Sequence, residues 1–239
     1  MQGSIPKTII QTGPWNTYDT ELRNKIIAMN PGYTYRYFNN NDCIKFIRDN
    51  FDHKVVDAFN GLKSGAFKAD LFRYCYLYVE GGIYIDIDLE PHVPFDDVIP
   101  PDADFVSCRE NVAVYPQLRG IWQAFMAGKK NLVFLQDAIV RIVTNVYNKT
   151  YPNAHDEMWN NILSITGPRL LYDVMHIEGV PKLGYSNARD STIYLYYYGP
   201  YEWNPEYDVY NIEGKKIFSD LPSIDDKYKH MFKNKDIYH

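Results

Sequence analysis

The chain has 239 residues, of which 46 % are hydrophobic and 23 % charged, enough apolar surface for a sizeable core and too much for a disordered or collagen-like polymer. Lys plus Arg number 25 against 30 Asp plus Glu, a formal charge of −5 and a pI near 5.7, which is the wrong sign for a groove that tracks nucleic-acid phosphates. Three widely spaced cysteines, Cys43, Cys75 and Cys108, predict free thiols in a reducing compartment rather than a disulfide framework. No run approaches the roughly 18 apolar residues of a spanning helix, so the expectation is a soluble, cytoplasmic protein.

Residues 1–239 contain no repeat or Gly/Ser linker and are expected to form a single α/β domain. Thr8 to Gln11 reads as a short strand after Pro6, followed by a helix capped by Asp19 with Leu22, Ile26 and Met29 on one face. Asn30-Pro31-Gly32 ends that helix, Tyr33 to Phe38 alternates as a strand, and two short helical patterns follow around Ile44, Ile47 and Phe51 and around Val55, Val56 and Phe59. Ser64 opens a longer helix running to about Glu80, and Gly81-Gly82 supplies the left-handed exit. Ile83 to Asp88 alternates strictly and predicts a strand, with Tyr84, Asp86 and Asp88 on one face. Phe105 to Cys108 predicts another strand, Ile121 to Ala127 and Leu132 to Val146 two helices, Gly167-Pro168 a break before a short helix, and Thr192 to Tyr198 an aromatic strand. The polar last thirty residues are expected to wrap over the domain.

Two carboxylates two apart on a strand project from one face, with Cα atoms about 6.5 Å apart. Asp86 and Asp88 can therefore flank one hard divalent ion, Mn²⁺ or Mg²⁺, which prefers carboxylate oxygens and leaves positions for water and phosphate. A pair of solvated strand-end aspartates has the same spacing, so the motif gains meaning only from its neighbours. Asp70 and Arg73 lie three apart on the preceding helix and face the same way. That helix is otherwise almost wholly apolar between Leu71 and Val79, so it is expected to be buried, and a buried ion pair calls for a reason beyond a surface salt bridge.

Ala69-Asp70-Leu71-Phe72-Arg73-Tyr74, Leu77-Tyr78 and Gly81-Gly82-Ile83-Tyr84-Ile85-Asp86-Ile87-Asp88 together resemble the sugar-binding Asp-x-Asp region of glycosyltransferase family 32. Ile5 to Thr12 is similar to that family's opening strand, and Phe125-Met126-Ala127 and Thr166-Gly167-Pro168 to its later landmarks. The resemblance implies a GT-A fold with a central, mostly parallel, mixed nucleotide-binding sheet. It also implies a UDP- or GDP-sugar donor, a glycan or glycoconjugate acceptor, a Mn²⁺ or Mg²⁺ cofactor and retention of anomeric configuration. By the same resemblance Asp88, Asp86 and His239 are the metal ligands and Asp70, Arg73 and Asp86 hold the sugar. Asp70 and Asp86 serve catalysis electrostatically, and Gln11, Thr12 and Trp15 contact the nucleotide. Departures from the family pattern fall at Ile10, where it has His, at Ala69, where it has Ser, at Trp15, two residues late, and at Tyr238-His239, the counterpart of a His-Trp pair. A nucleotide-sugar-binding module without turnover is the alternative. A phosphatase of the haloacid dehalogenase type is disfavoured, because Asp86-Ile87-Asp88 runs into Leu89-Glu90-Pro91.

Overall fold

The computed structural model describes residues 4–14, 20–109, 120–150, 163–177, 183–201, 204–211, 213–220 and 237–239. In chain order the elements are β1 (Thr8–Thr12), α1 (Thr20–Met29), β2 (Thr34–Phe38), α2 (Asn40–Asn50), α3 (His53–Gly61), α4 (Gly65–Glu80), β3 (Gly82–Ile85), β4 (Leu89–Pro91), α5 (Phe95–Val98), β5 (Phe105–Arg109), β6 (Ile121–Gly128), α6 (Val133–Tyr147), α7 (Pro168–Met175), β7 (Gly184–Ala188), β8 (Ser191–Tyr201), β9 (Asn204–Tyr210) and β10 (Lys216–Asp220).

The strands form a mixed sheet in the order β2-β1-β3-β6-β5-β8-β9-β10-β4, with β7 paired to β8. Pairs β1–β2, β1–β3 and β5–β8 are parallel, and the others antiparallel. One face carries a core that includes Cys43 of α2, Val55 of α3, Leu71 of α4, Leu135 of α6 and Leu170 of α7. The other packs Leu22 and Ile26 of α1 and Phe95 and Val98 of α5 on Ile83, Ile85 and Phe125. The result is a sheet between two helical layers, the arrangement expected when strands and helices alternate.

Local chemistry explains why the elements stop and start where they do. Asn39 and Asp42 form a reciprocal capping box at the start of α2, and the Asp52 carboxylate caps α3 by accepting from the Lys54 amide. Ser64 accepts from the Ala66 amide at the start of α4. At the other end Gly81 has φ 66° and Gly82 φ 110°. A Cβ on Gly82 would lie 2.7 Å from the Thr8 carbonyl oxygen, so only glycine lets α4 fold directly back into β3 against β1.

Two expectations are corrected. Residues Ile121–Gly128 are a strand rather than a helix. All eight are buried, and in a strand covered on both faces the alternation that would distinguish it from a helix disappears. The strand from Ile83 ends at Ile85 rather than Asp88, because the Asp86 carbonyl leaves the ladder. It accepts from the Gln11 side-chain amide at 3.0 Å and from the Leu89 amide at 3.3 Å. Residues 86–88 are thus a turn, and Asp86 and Asp88 do not share a strand face. The Asp19 cap lies outside the described residues. Of the terminal thirty residues, 216–220 form a strand. Ile237 to His239 lie along residues 61–63, with Tyr238 bridged to Leu62, the Lys63 amide on the Ile237 carbonyl at 2.9 Å and the His239 amide on the Gly61 carbonyl at 2.9 Å.

Candidate active site

The candidate site is built where α4 passes over the C-terminal end of β3. Because the Gly81-Gly82 turn sends the chain straight back along the helix, Asp70 and Arg73, in the middle of α4, meet the residue that follows β3, Asp86. Arg73 Nη2 lies 3.3 Å from Asp70 Oδ1 and 3.4 Å from Asp86 Oδ1. Its Nη1 donates to the Gln123 carbonyl at 2.8 Å and its Nε to the Ala69 carbonyl at 3.3 Å. The guanidinium also stacks 4.3 Å from the centre of the Tyr84 ring, and the Tyr84 hydroxyl donates to Asp86 Oδ1 at 2.5 Å. One cation is thus shared by two carboxylates and an aromatic face in a nearly dry environment.

Burial sets the charges. Asp70 is 8 % exposed and Arg73 5 %. Desolvation pushes the Asp70 carboxyl from 3.8 up to about 6, against the opposing pull of Arg73 and the Thr166 hydroxyl. For Arg73 burial works against the charge, but Tyr84, Asp86 and Asp70 outweigh it and the guanidinium stays protonated. Burial also raises the Tyr84 and Tyr74 phenols well above their usual range, so both remain neutral hydrogen-bond donors. The Asp86 side chain is 31 % exposed, so this carboxylate reaches the protein surface while Asp70 does not.

A divalent ion bound together with a nucleoside diphosphate needs one or two protein carboxylates, phosphates and waters completing its shell. Asp86 and Asp88, hard oxygen donors at the two ends of one partly exposed turn, fit that requirement. Among the described residues no group of three His, Cys, Asp or Glu side chains is placed to hold a metal. The expected set of Asp88, Asp86 and His239 is therefore not assembled. His239 is exposed beside Gly61, its backbone committed to the residue 61–63 pairing.

Of the expected nucleotide contacts, Gln11 and Thr12 are engaged within the protein. Gln11 is 4 % exposed and both ends of its amide are engaged: Nε2 on the Asp86 carbonyl, and Oε1 accepting from the Tyr35 hydroxyl at 2.6 Å. It braces the end of β3. The Thr12 hydroxyl donates to the Phe38 carbonyl at 2.9 Å and lies 3.2 Å from Cys43 Sγ. Trp15 lies outside the described residues. Sequence reasoning missed Tyr84, Gln123 and Thr166 as partners of the charged cluster. Alternation already put Tyr84 on the face of Asp86, whereas Gln123 was hidden by the helical misreading of its strand.

The fold is a GT-A-type α/β domain. Residues 17–106 match the family described as a glycosyltransferase sugar-binding region containing a DXD motif, which bears out the resemblance drawn from the sequence. Over 78 residues the chain is 30 % identical to the uncharacterized glycosyltransferase L373 of Acanthamoeba polyphaga mimivirus, covering 31 % of each protein. Over 89 residues it is 34 % identical to the mannosyl phosphorylinositol ceramide synthase SUR1 of Saccharomyces cerevisiae, covering 35 % of this chain and 22 % of that one. The chain thus spans a third or less of the length of these relatives. Among solved structures, the PaToxG glycosyltransferase superposes with a TM-score of 0.52 at 16 % identity, over 72 % of this chain and 69 % of that one, a likeness of fold. No helix among the described residues is long and apolar enough to cross a membrane, and Cys43, Cys75 and Cys108 are free and buried.

Proposed function

We propose that this protein is a retaining glycosyltransferase that moves a sugar from a UDP- or GDP-sugar to a glycan or glycoconjugate hydroxyl, with Mn²⁺ or Mg²⁺ as cofactor, in a reducing, cytoplasmic compartment. The observation that carries the reading is the Asp70–Arg73–Asp86 cluster, an ion-pair network held at the end of the parallel strands β1 and β3, where open α/β sheets bind nucleotides. Nothing in the packing of α4 requires two carboxylates and a guanidinium there, and apolar side chains of similar volume serve a core at least as well.

In this reading Asp70 and Arg73 hold the donor-sugar hydroxyls, and Asp86 reaches the sugar or the ribose. Asp86 and Asp88 hold the divalent ion, which when bound acts as a Lewis acid on the diphosphate oxygens. The bond from the anomeric carbon to the diphosphate oxygen breaks as the acceptor oxygen bonds the same face of that carbon. The acceptor proton passes to the departing phosphate. Asp70 and Asp86 stabilise the positive charge that develops on the sugar ring, in a site where a low dielectric strengthens the effect.

The test is donor cleavage by the purified protein across UDP- and GDP-sugars, with Mn²⁺, with Mg²⁺ and with EDTA. The expected result is release of one nucleoside diphosphate, suppressed by EDTA. Binding of a nucleotide sugar with no cleavage under any acceptor or metal condition would establish the binding module instead.

A further inference from the structure

The Asp70–Arg73 ion pair closes a ring whose other four links are hydrogen bonds, and three of its members have no charge. Arg73 Nη1 donates to the Gln123 carbonyl at 2.8 Å, and the Gln123 side-chain amide donates to the Tyr74 hydroxyl. The Tyr74 hydroxyl donates to the Thr166 carbonyl at 3.2 Å. The Thr166 hydroxyl donates to Asp70 Oδ2 at 2.6 Å, and Asp70 Oδ1 returns to Arg73 at 3.3 Å. The ring draws on α4, on β6 and on the turn before α7, and its ends lie 96 residues apart in sequence.

We infer that Thr166, Tyr74 and Gln123 are positioning residues for the proposed donor-sugar subsite, fixing the carboxylate plane of Asp70 and the guanidinium plane of Arg73 before substrate arrives. An Asp and an Arg three apart on a helix share one contact and keep most of their rotamer freedom. Here Asp70 Oδ1 pairs with Arg73 of the same helix while Oδ2 accepts from Thr166 of a distant turn, so the carboxylate cannot turn without breaking a buried hydrogen bond. Both Nη atoms of Arg73 are likewise assigned.

The uncharged members are themselves immobilised. Thr166 and Tyr74 are fully buried and Gln123 is 4 % exposed. The turn carrying Thr166 is anchored on α6, because the Asn145 amide donates to the Ile165 carbonyl at 2.9 Å. It is also tight: a Cβ at Gly167 would lie 3.1 Å from the Leu163 carbonyl oxygen. A short hydroxyl reaching Asp70 from such a turn acts as a fixed stop. This explains what the sequence leaves open, namely what a Thr-Gly-Pro turn nearly a hundred residues away contributes to an Asp-x-Asp site. The inference deepens the proposed function and rests on it for the identity of the ligand.

The test compares Thr166→Val, which removes the hydroxyl at nearly constant volume, with Thr166→Ser, which keeps it, and with Tyr74→Phe, which opens the ring at another link. The probes are UDP-glucose and GDP-mannose against UDP and GDP, with Mn²⁺, and whichever pair the wild type binds is carried through. Thr166→Val is expected to lose about tenfold or more of the affinity gained from the sugar, together with kcat, while nucleoside diphosphate affinity stays within about twofold. Thr166→Ser restores both. The double variant Tyr74→Phe/Thr166→Val is no worse than the weaker single variant, because a ring already open has no second coupling to lose. Equal losses for Val and Ser, additive losses in the double variant, or an unchanged sugar increment in Thr166→Val overturn the assignment. Should Thr166→Val fail to fold, Tyr74→Phe and Thr166→Ser carry the same comparison. In parallel, hydrogen exchange of the Arg73 side-chain N–H groups is followed by NMR in the ligand-free protein. It is expected to be slow in the wild type, about tenfold faster in Tyr74→Phe and unchanged in Thr166→Ser. If Tyr74→Phe exchanges like the wild type, the ring does not hold Arg73. A ring that passes this exchange test in a protein that binds no nucleotide sugar refutes the proposed function, not the ring.

Discussion

Replacing Asp70 with Asn removes a carboxylate that the fold keeps almost entirely from water, and the consequence depends on pH. The folded protein lifts the Asp70 carboxyl from 3.8 to about 6, so between those values the native state holds a proton that the unfolded chain has released. Stability from this group is therefore full below pH 3.8 and lost as the pH rises to 6. The difference of 2.2 on the pH scale, 6 − 3.8, is about 3 kcal/mol at about 1.36 kcal/mol per unit. Asn carries no such dependence. The stability of Asp70→Asn relative to wild type should therefore rise by roughly 2–3 kcal/mol between pH 4 and pH 7.5, with most of the change below pH 6.5. In a chain of this size that is about 5–10 °C in Tm. Urea denaturation of both proteins across the range measures it, and groups common to both cancel in the difference. Parallel stability curves would mean that Asp70 titrates like a solvated aspartate, and the argument for a dry sugar subsite would fall with it. At pH 7.5 the same variant should lose donor cleavage, so stability and activity move in opposite directions.

Arg73→Lys keeps the charge but cannot reproduce a planar fork with Asp70, Asp86 and the Gln123 carbonyl; it should weaken binding of the intact nucleotide sugar about tenfold more than binding of the bare nucleoside diphosphate, and equal losses in calorimetry would sink the sugar-binding role. Asp88→Asn should lower metal-dependent donor cleavage about a hundredfold or more at limiting Mn²⁺ with Tm within about 2 °C of wild type; retained turnover would remove Asp88 from the metal site. Gly82→Ala, with φ 110° and a Cβ 2.7 Å from the Thr8 carbonyl oxygen, should cost about 2–4 kcal/mol, visible as a fall in Tm, and a wild-type Tm would contradict the glycine-dependent return from α4 to β3.

Much of the α4–β3 unit is legible in the sequence, since Ser64, the apolar helix and Gly81-Gly82 each carry a local signal that agrees with the fold. Asp70, Arg73 and Asp86 follow from helical spacing and from strand alternation. What stays hidden has identifiable causes. Strand β6 is buried on both faces and shows no alternation, so Gln123 could not be placed. The β7–β8 hairpin turns through Arg189 and Asp190, both with positive φ, where the familiar signal is Asn-Gly, so β7 escaped notice. The early end of β3 depends on Gln11, a residue more than seventy positions upstream, and no local pattern reports a contact of that range.

The turn at residues 86–88 joins two strands that stand far apart in the sheet. Six strand spacings separate β3 from β4, about 29 Å if the sheet were flat at ~4.8 Å each. Three connecting residues reach at most about 14 Å from Ile85 to Leu89. The sheet must therefore curl until its far edge returns to its middle, and the Asp-x-Asp turn is the clasp that closes the curl. The pairing of β4 with β10 fixes one end of this turn and the Asp86 amide on the Ala124 carbonyl the other, so the slowest-exchanging amides near the site should be those of Asp86 and Leu89, bonded to the Ala124 and Asp86 carbonyls.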